Sequence, residues 1–223
     1  LYSIVIYTIN MFMTIEQLLK KRKQTRRFST TNIPSKTLIQ SLFNKTFEIT
    51  PSKQNFYPYQ VFVIGPEDHK DRKKFLDILN ITPGGTGNIN AWSAPYILLF
   101  CSRFTKEHPD PKVTKRIKER GLFYEQTDAG LFPGYEAQIS LEVGMFAMNL
   151  TALCMEKNID VSYQQCLPVY KKTRRKWREL SFMKNMLIIE KTLFCMQLGH
   201  KHKKATDNDR EIKPNIEEVI KFI

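Results

Sequence analysis

Apolar positions along this chain fall into two kinds of pattern, separated by polar punctuation. A helical spacing begins at Thr14, which reads as an N-cap with Gln17 three residues on, and runs to Lys21. Ser35 reads as the cap of a second helix through about Phe47, with Leu38, Ile39, Leu42 and Phe43 on one face. Pro51 and Pro58 bracket a loop. Tyr59–Ile64 (YQVFVI) then has the β-branched and aromatic content of a strand. Glu67–Leu79 is a charged amphipathic helix, and the loop Pro83-Gly84-Gly85-Thr86-Gly87 leads toward the apolar strand Tyr96–Cys101 (YILLFC).

The stretch Ala137–Lys157 differs from these because its apolar residues go all the way round the helix rather than forming a stripe. Such a helix belongs in a core or at a subunit interface. Glu142, Gly144 and Asn149 interrupt it, and Glu142 and Asn149 stand seven apart, hence on one face. A short segment at Ile159–Tyr163, a basic helix near Thr173–Leu180, a strand near Leu193–Leu198 and a last helix Asn215–Phe222 complete the pass. Strands and helices do not alternate as βαβ units, so the pattern predicts an α+β domain. One domain spans 13–223, and residues 1–12 form an apolar N-terminal extension from an upstream start, a non-native addition or a pairing β segment.

Composition changes this picture at one point. The chain has 223 residues with 35 Lys+Arg against 22 Asp+Glu, a formal net charge of +13, which invites a polyanion reading. The four cysteines (Cys101, Cys154, Cys166, Cys195) are widely spaced and the four histidines stand at no zinc-site spacing, so no metal site is expected. Reduced thiols fit a cytoplasmic setting. No run reaches the roughly 18 to 20 apolar residues that span a bilayer, so no membrane partner is expected.

The sequence carries no P-loop, no G-x-G-x-x-G and no G-x-S-x-G, and four scattered histidines build no catalytic triad. Four other motifs do recur in order. They are Arg22-Lys23-Gln24-Thr25-Arg26-Arg27-Phe28, Pro51-Ser52-Lys53-Gln54-Asn55-Phe56-Tyr57-Pro58-Tyr59, Glu142-Val143-Gly144 through Asn149-Leu150, and Lys213-Pro214-Asn215-Ile216-Glu217-Glu218-Val219. From Met13 to the C-terminus this series resembles the nitroreductase-like family of flavoproteins. It matches in turn that family's R-R-S-x-R-x-F opening, P-S-x-x-N-x-Q-P-W loop, D-x-G-x-x-x-x-N-L helix and terminal R-x-P-L-E-E-V. Departures are Gln24 for Ser, Tyr57-Pro58-Tyr59 for Gln-Pro-Trp, Glu142 for Asp, and Lys53 where a small residue is usual.

The resemblance implies a central, mostly antiparallel sheet flanked by helices, and an interlocked homodimer with FMN at its interface. It implies NADH or NADPH as electron donor and a ping-pong hydride transfer to a nitroaromatic, quinone, enone or similar acceptor. No catalytic side chain is required, since flavin N5 carries the chemistry. Arg22, Lys23, Gln24 and Arg26 would meet the flavin phosphate and ribityl chain, with Arg210 or Lys213 completing the cradle. Pro51, Ser52, Lys53 and Asn55 would touch ring and ribityl, and Gln165 and Cys166 would run past the ring edge. Lys53 beside the flavin would tune its reduction. The stretches Gly84–Asn90 and Phe104–Phe132 would shape the substrate pocket. Nucleic acid is a disfavoured partner. Two alternatives stay open: a specialised relative (reductive dehalogenase or flavin-processing enzyme) and a flavin-free basic binding protein.

Overall fold

Two apolar strands set the frame. A computed structural model of the chain describes residues 14–80, 93–103, 108–120, 133–164, 180–183, 192–205 and 216–220. Within it, β2 (Tyr96–Ser102) is buried at every position, the condition under which a strand loses its polar alternation and reads as YILLFC. It pairs antiparallel with β1 (Tyr59–Ile64) on one side, Tyr59 opposite Ser102 and Ile64 opposite Ile97. On the other it pairs antiparallel with β4 (Thr192–Gly199), with a register shift between Phe100 and Cys101. β3 (Asp160–Gln164) closes the order β1-β2-β4-β3, again antiparallel.

The alternate side chains of β2 divide the core. Tyr96, Leu98 and Phe100 point into a layer built by α2 (Lys36–Ile49) and α5 (Pro133–Glu156), through Ile39, Leu42, Ile139, Val143, Phe146 and Leu150. Ile97, Leu99 and Cys101 point the other way, against Phe75 and Ile78 of α3 (His69–Asn80) and against Leu180 and Met183. The result is helices on both faces of an antiparallel sheet, the α+β layout that the pattern predicted.

The expected caps are present. Thr14 and Gln17 form a reciprocal capping box at α1 (Ile15–Lys21), and Ser35 Oγ accepts from Leu38 N at 3.2 Å. α4 (Pro111–Arg120) was not anticipated, because only Val113 and Ile117 interrupt its polar run. Its signal was the Asp110-Pro111 pair: Asp110 Oδ1 accepts from Lys112 N at 2.8 Å, and proline fits the first helical position. A second proline, Pro133, starts α5 four residues before the expected Ala137. The last helix, α6 (Ile216–Val219), is shorter than the 215–222 expected. The basic helix expected over 173–180 lies, apart from Leu180, outside the described residues, as do the 81–92 loop and residues 1–13.

α5 is long and apolar enough, by length and composition, to cross a membrane. Here it contributes Glu142, Thr151 and a row of apolar side chains to the core, while Leu141 and Met148 stay exposed on another face.

Two outcomes follow from this packing. A Cβ at Gly199 would lie 2.5 Å from Pro95 Cδ and 3.1 Å from Phe28, and neither ring can swing aside. Gly199→Ala is therefore expected to lower unfolding stability by about 1–3 kcal/mol, read as a drop in denaturant midpoint at unchanged m. Burial also pushes the Cys154 thiol up to about 12 and raises that of Cys195. Since the thiolate is the reactive form, Cys101, Cys154 and Cys195 should be silent toward a thiol reagent at pH 8 in the native protein and react after denaturation.

Candidate functional site

Thr50, at the end of α2, begins a turn that the sheet must receive at Tyr59. A short helical turn over Lys53–Asn55 closes it, with Asn55 N on Ser52 O at 3.0 Å and Phe56 N on Lys53 O at 3.1 Å. Asn55 and Tyr57 then take φ of 55° and 48°. Left-handed backbone suits Asn but is unusual for Tyr, so the surroundings must impose it.

Those surroundings are the two polar residues of α5 that stand seven apart. Glu142, 3% exposed, accepts from Ser52 Oγ at 2.7 Å, from the Lys53 amide at 3.2 Å and from Gln138 Nε2 at 3.1 Å. Asn149 Nδ2 donates to Thr50 Oγ1 at 3.0 Å. Ser52 Oγ also accepts from Tyr57 N at 2.8 Å, and Tyr57 Oη donates to the Thr50 carbonyl at 3.1 Å. One buried carboxylate and one amide thus hold the whole turn, leaving Pro51, Lys53 and Asn55 exposed. Pro51, Ser52 and Lys53 face the Leu141–Met145 stretch of α5 across an open cleft of about 570 Å³.

At the other end of α5 the segment Arg22–Phe28 runs beside the sheet edge. The Gln24 carboxamide donates to the Tyr163 carbonyl at 2.7 Å and accepts from the Tyr163 amide at 3.1 Å, imitating a neighbouring strand. It also donates to Ser162 Oγ at 2.9 Å, and Thr25 N donates to the Val161 carbonyl at 3.2 Å. The exposed edge of β3 is thereby covered by its own chain. Beyond it, Phe28 bridges Lys201, with Ser29 N on His200 O at 2.7 Å and His202 N on Arg27 O at 3.0 Å.

That pairing joins two charge runs far apart in sequence. Lys23, Arg26 and Arg27 on one run and Lys203 and Lys204 on the other are all exposed. Beside them a cleft of about 440 Å³ is lined by Lys21, Arg22, Lys23, Lys201 and one carboxylate, Asp160, whose Oδ2 accepts from Lys201 N at 2.7 Å. The Arg22 guanidinium sits 5.8 Å over the Tyr163 ring. Burial raises the Tyr163 phenol, against the pull of its Thr151 hydrogen bond and of the Arg22 charge, so it stays neutral.

The structure therefore gathers the sequence-predicted residues into two groups: Arg22, Lys23, Gln24 and Arg26 at one end of α5, and Pro51, Ser52, Lys53 and Asn55 at the other. Glu142 and Met155, one on each cleft, are separated by roughly 20 Å of helix at about 1.5 Å per residue. The Gln24 side chain is engaged by β3, and Arg26 faces solvent. Gln165, Cys166, Arg210 and Lys213 lie outside the described residues. Glu142 and Asn149 entered the sequence reading as interruptions of an apolar helix and as motif positions, without a contact assigned to either. Their seven-residue spacing was the available signal, but nothing local said what they would face.

Neither a protein-family profile nor a curated protein sequence matches the chain. Solved structures do. A protein from Staphylococcus epidermidis, named as an NAD(P)H:FMN oxidoreductase, superposes with a TM-score of 0.71 at 13% identity, over 95% of this chain and 97% of its own. A nitroreductase family protein from Streptococcus pneumoniae gives 0.66 at 15%, over 94% and 100%. A nitroreductase-like family protein from Bacillus cereus gives 0.64 at 15%, over 96% and 98%. At these identities the likeness is one of fold.

Removing the Glu142 carboxylate leaves Ser52 Oγ, the Lys53 amide and Gln138 without their shared acceptor. Glu142→Ala is expected to cost about 1–3 kcal/mol of stability and to speed amide exchange over residues 52–57, while Glu142→Gln, which keeps one acceptor oxygen, costs less. Denaturant unfolding and hydrogen-exchange mass spectrometry check this.

Proposed function

We propose that this chain, which has the nitroreductase-like fold, is an FMN-dependent oxidoreductase that takes electrons from NADH or NADPH. The observation that carries the reading is the pairing, on this fold, of a cationic edge segment (22–27) with a carboxylate-anchored turn (51–55) that leaves Asn55 and Lys53 exposed. The residues fit the cofactor's chemistry. Guanidinium and ammonium groups around the 440 Å³ cleft suit a phosphate, with Arg22, Lys23 and Arg26 its holders and Arg210 or Lys213 completing the set. When bound, the flavin supplies hydride exchange at N5, received from the nicotinamide donor and passed to a nitroaromatic, quinone or enone in ping-pong order.

The protein's share is positioning. Glu142 fixes the Ser52–Lys53 backbone, Asn55 presents its side chain to solvent, and Lys53 sets a positive charge at the rim of the neighbouring cleft, where it would favour reduction of the flavin. The excess cations at Lys203 and Lys204 add a field that attracts the anionic donor.

Two clefts at opposite ends of one helix suggest that a complete site takes one cleft from each of two copies. The exposed face of α5 supports that arrangement. Leu141 and Met148 are 64% and 44% exposed, and with Met145, Ala152 and Met155 they form a stripe stepping four and three residues at a time. That spacing is the seam of a helix pair. A Cβ on Gly144, between them, would meet nothing within 4 Å, leaving room for another helix to approach. A homodimer with FMN between subunits is the assembly this surface favours.

The visible spectrum of the purified protein tests the cofactor. A yellow protein that releases FMN on denaturation supports the reading; one that stays colourless after incubation with FMN ends it. Met148→Glu places a charge on the α5 stripe. It is expected to sediment as a monomer and to lose FMN together with the dimer, with secondary structure retained by circular dichroism.

A further inference from the structure

We infer that His108 is a positioning residue for the cofactor turn, holding Asn55 in the left-handed conformation that presents its side chain. His108 stands just before α4, within the 104–132 stretch that the sequence reading gave to the substrate pocket without assigning this residue a role. Its imidazole Nδ1 accepts from the Asp110 amide at 2.9 Å, which places the ring proton on Nε2. That Nε2–H donates to the main-chain carbonyl of Asn55 at 2.9 Å. The ring also stacks on Phe56, with centroids 6.4 Å apart at 24°. Phe56 and Val113 of α4, 6% and 7% exposed, form a small buried cluster of their own.

The histidine is itself held. Its amide donates to Thr114 Oγ1 at 2.7 Å and its carbonyl accepts from the same hydroxyl at 2.9 Å. Asp110 caps α4 through Lys112 N and accepts at its own carbonyl from Val113 N and Thr114 N. The first turn of α4 is thus a rigid mount for one imidazole, and that imidazole reaches one carbonyl.

The carbonyl concerned belongs to the first of the two left-handed residues of the turn. Asn55 has φ at 55°, and its carbonyl is met by the His108 ring proton. Holding that carbonyl restrains the peptide between Asn55 and Phe56, and with it the path of the turn that carries the exposed Asn55 side chain. Glu142 secures the turn from below, at Ser52 and Lys53, and His108 secures it from the α4 side, at Asn55. On the reading that this turn contacts FMN, on which the inference rests, His108 couples the β2–α4 segment to the cofactor.

The test compares His108→Phe, which keeps a ring on Phe56 but has no donor, with His108→Gln, which keeps a donor. Three readouts are taken: FMN dissociation constant by flavin fluorescence quenching, flavin midpoint potential, and amide exchange over residues 52–57 in flavin-free protein. His108→Phe is expected to weaken FMN binding about 5-fold, the effect of one lost hydrogen bond, with faster exchange at Asn55–Tyr57 and a displaced potential. His108→Gln should recover most of each. A folded His108→Phe protein with wild-type FMN affinity and potential overturns the inference, even where exchange rises. Wild-type exchange in that variant overturns the clamp itself. Failure of the wild-type protein to take up FMN instead removes the flavin reading, and the exchange comparison still judges the clamp.

Discussion

The geometry of this molecule turns on one buried carboxylate. Glu142 lies almost wholly out of water in the central helix, where a carboxyl group is costly unless donors meet its oxygens. It finds them in Ser52, the Lys53 amide and Gln138. The need is mutual, because the 50–57 turn contains two left-handed residues, which persist where the surroundings support them. The helix and the turn therefore specify one another. Everything proposed for Lys53 and Asn55 depends on that contact, since it converts a polar loop between two prolines into a fixed surface.

The same logic, a polar group satisfied across a long sequence separation, operates at the opposite sheet edge. There the Gln24 carboxamide acts as a strand substitute for Tyr163, and the Arg27–Ser29 backbone pairs with His200–His202. A sheet edge without a partner strand is a hazard, and the chain covers this one with its own basic segment. In doing so it brings two cationic runs side by side. Part of the positive charge that first suggested a polyanion partner thereby lines one cleft, at Lys21, Arg22, Lys23 and Lys201.

Gln24, standing where the motif it resembles has serine, gains a physical account from this arrangement. A carboxamide has both a donor and an acceptor at a reach that matches a strand's N–H and C=O, so it can cap the edge of β3, which a hydroxyl does less completely. Glu142 in place of Asp likewise reaches the Ser52 hydroxyl and the Lys53 amide with its two oxygens while its backbone stays in the helix.

Sequence alone determined the local parts: the capping box at Thr14, the Ser35 cap, β1 residue for residue, the apolar run of β2 and the all-round helix α5. These are legible because capping and hydrophobic period involve residues within a turn or two of one another. α4 escaped because its packing rests on Val113 in a polar run, too little for a periodic signal. The ordered motifs pointed to the right fold, which the solved structures bear out. Only the tertiary structure decided that Glu142 and Asn149 face the 50–53 turn, that the predicted contact residues divide between two ends of α5, and that His108 reaches Asn55. Those are meetings between residues 53 to 99 positions apart, and no local pattern encodes which surfaces the folded core will bring together.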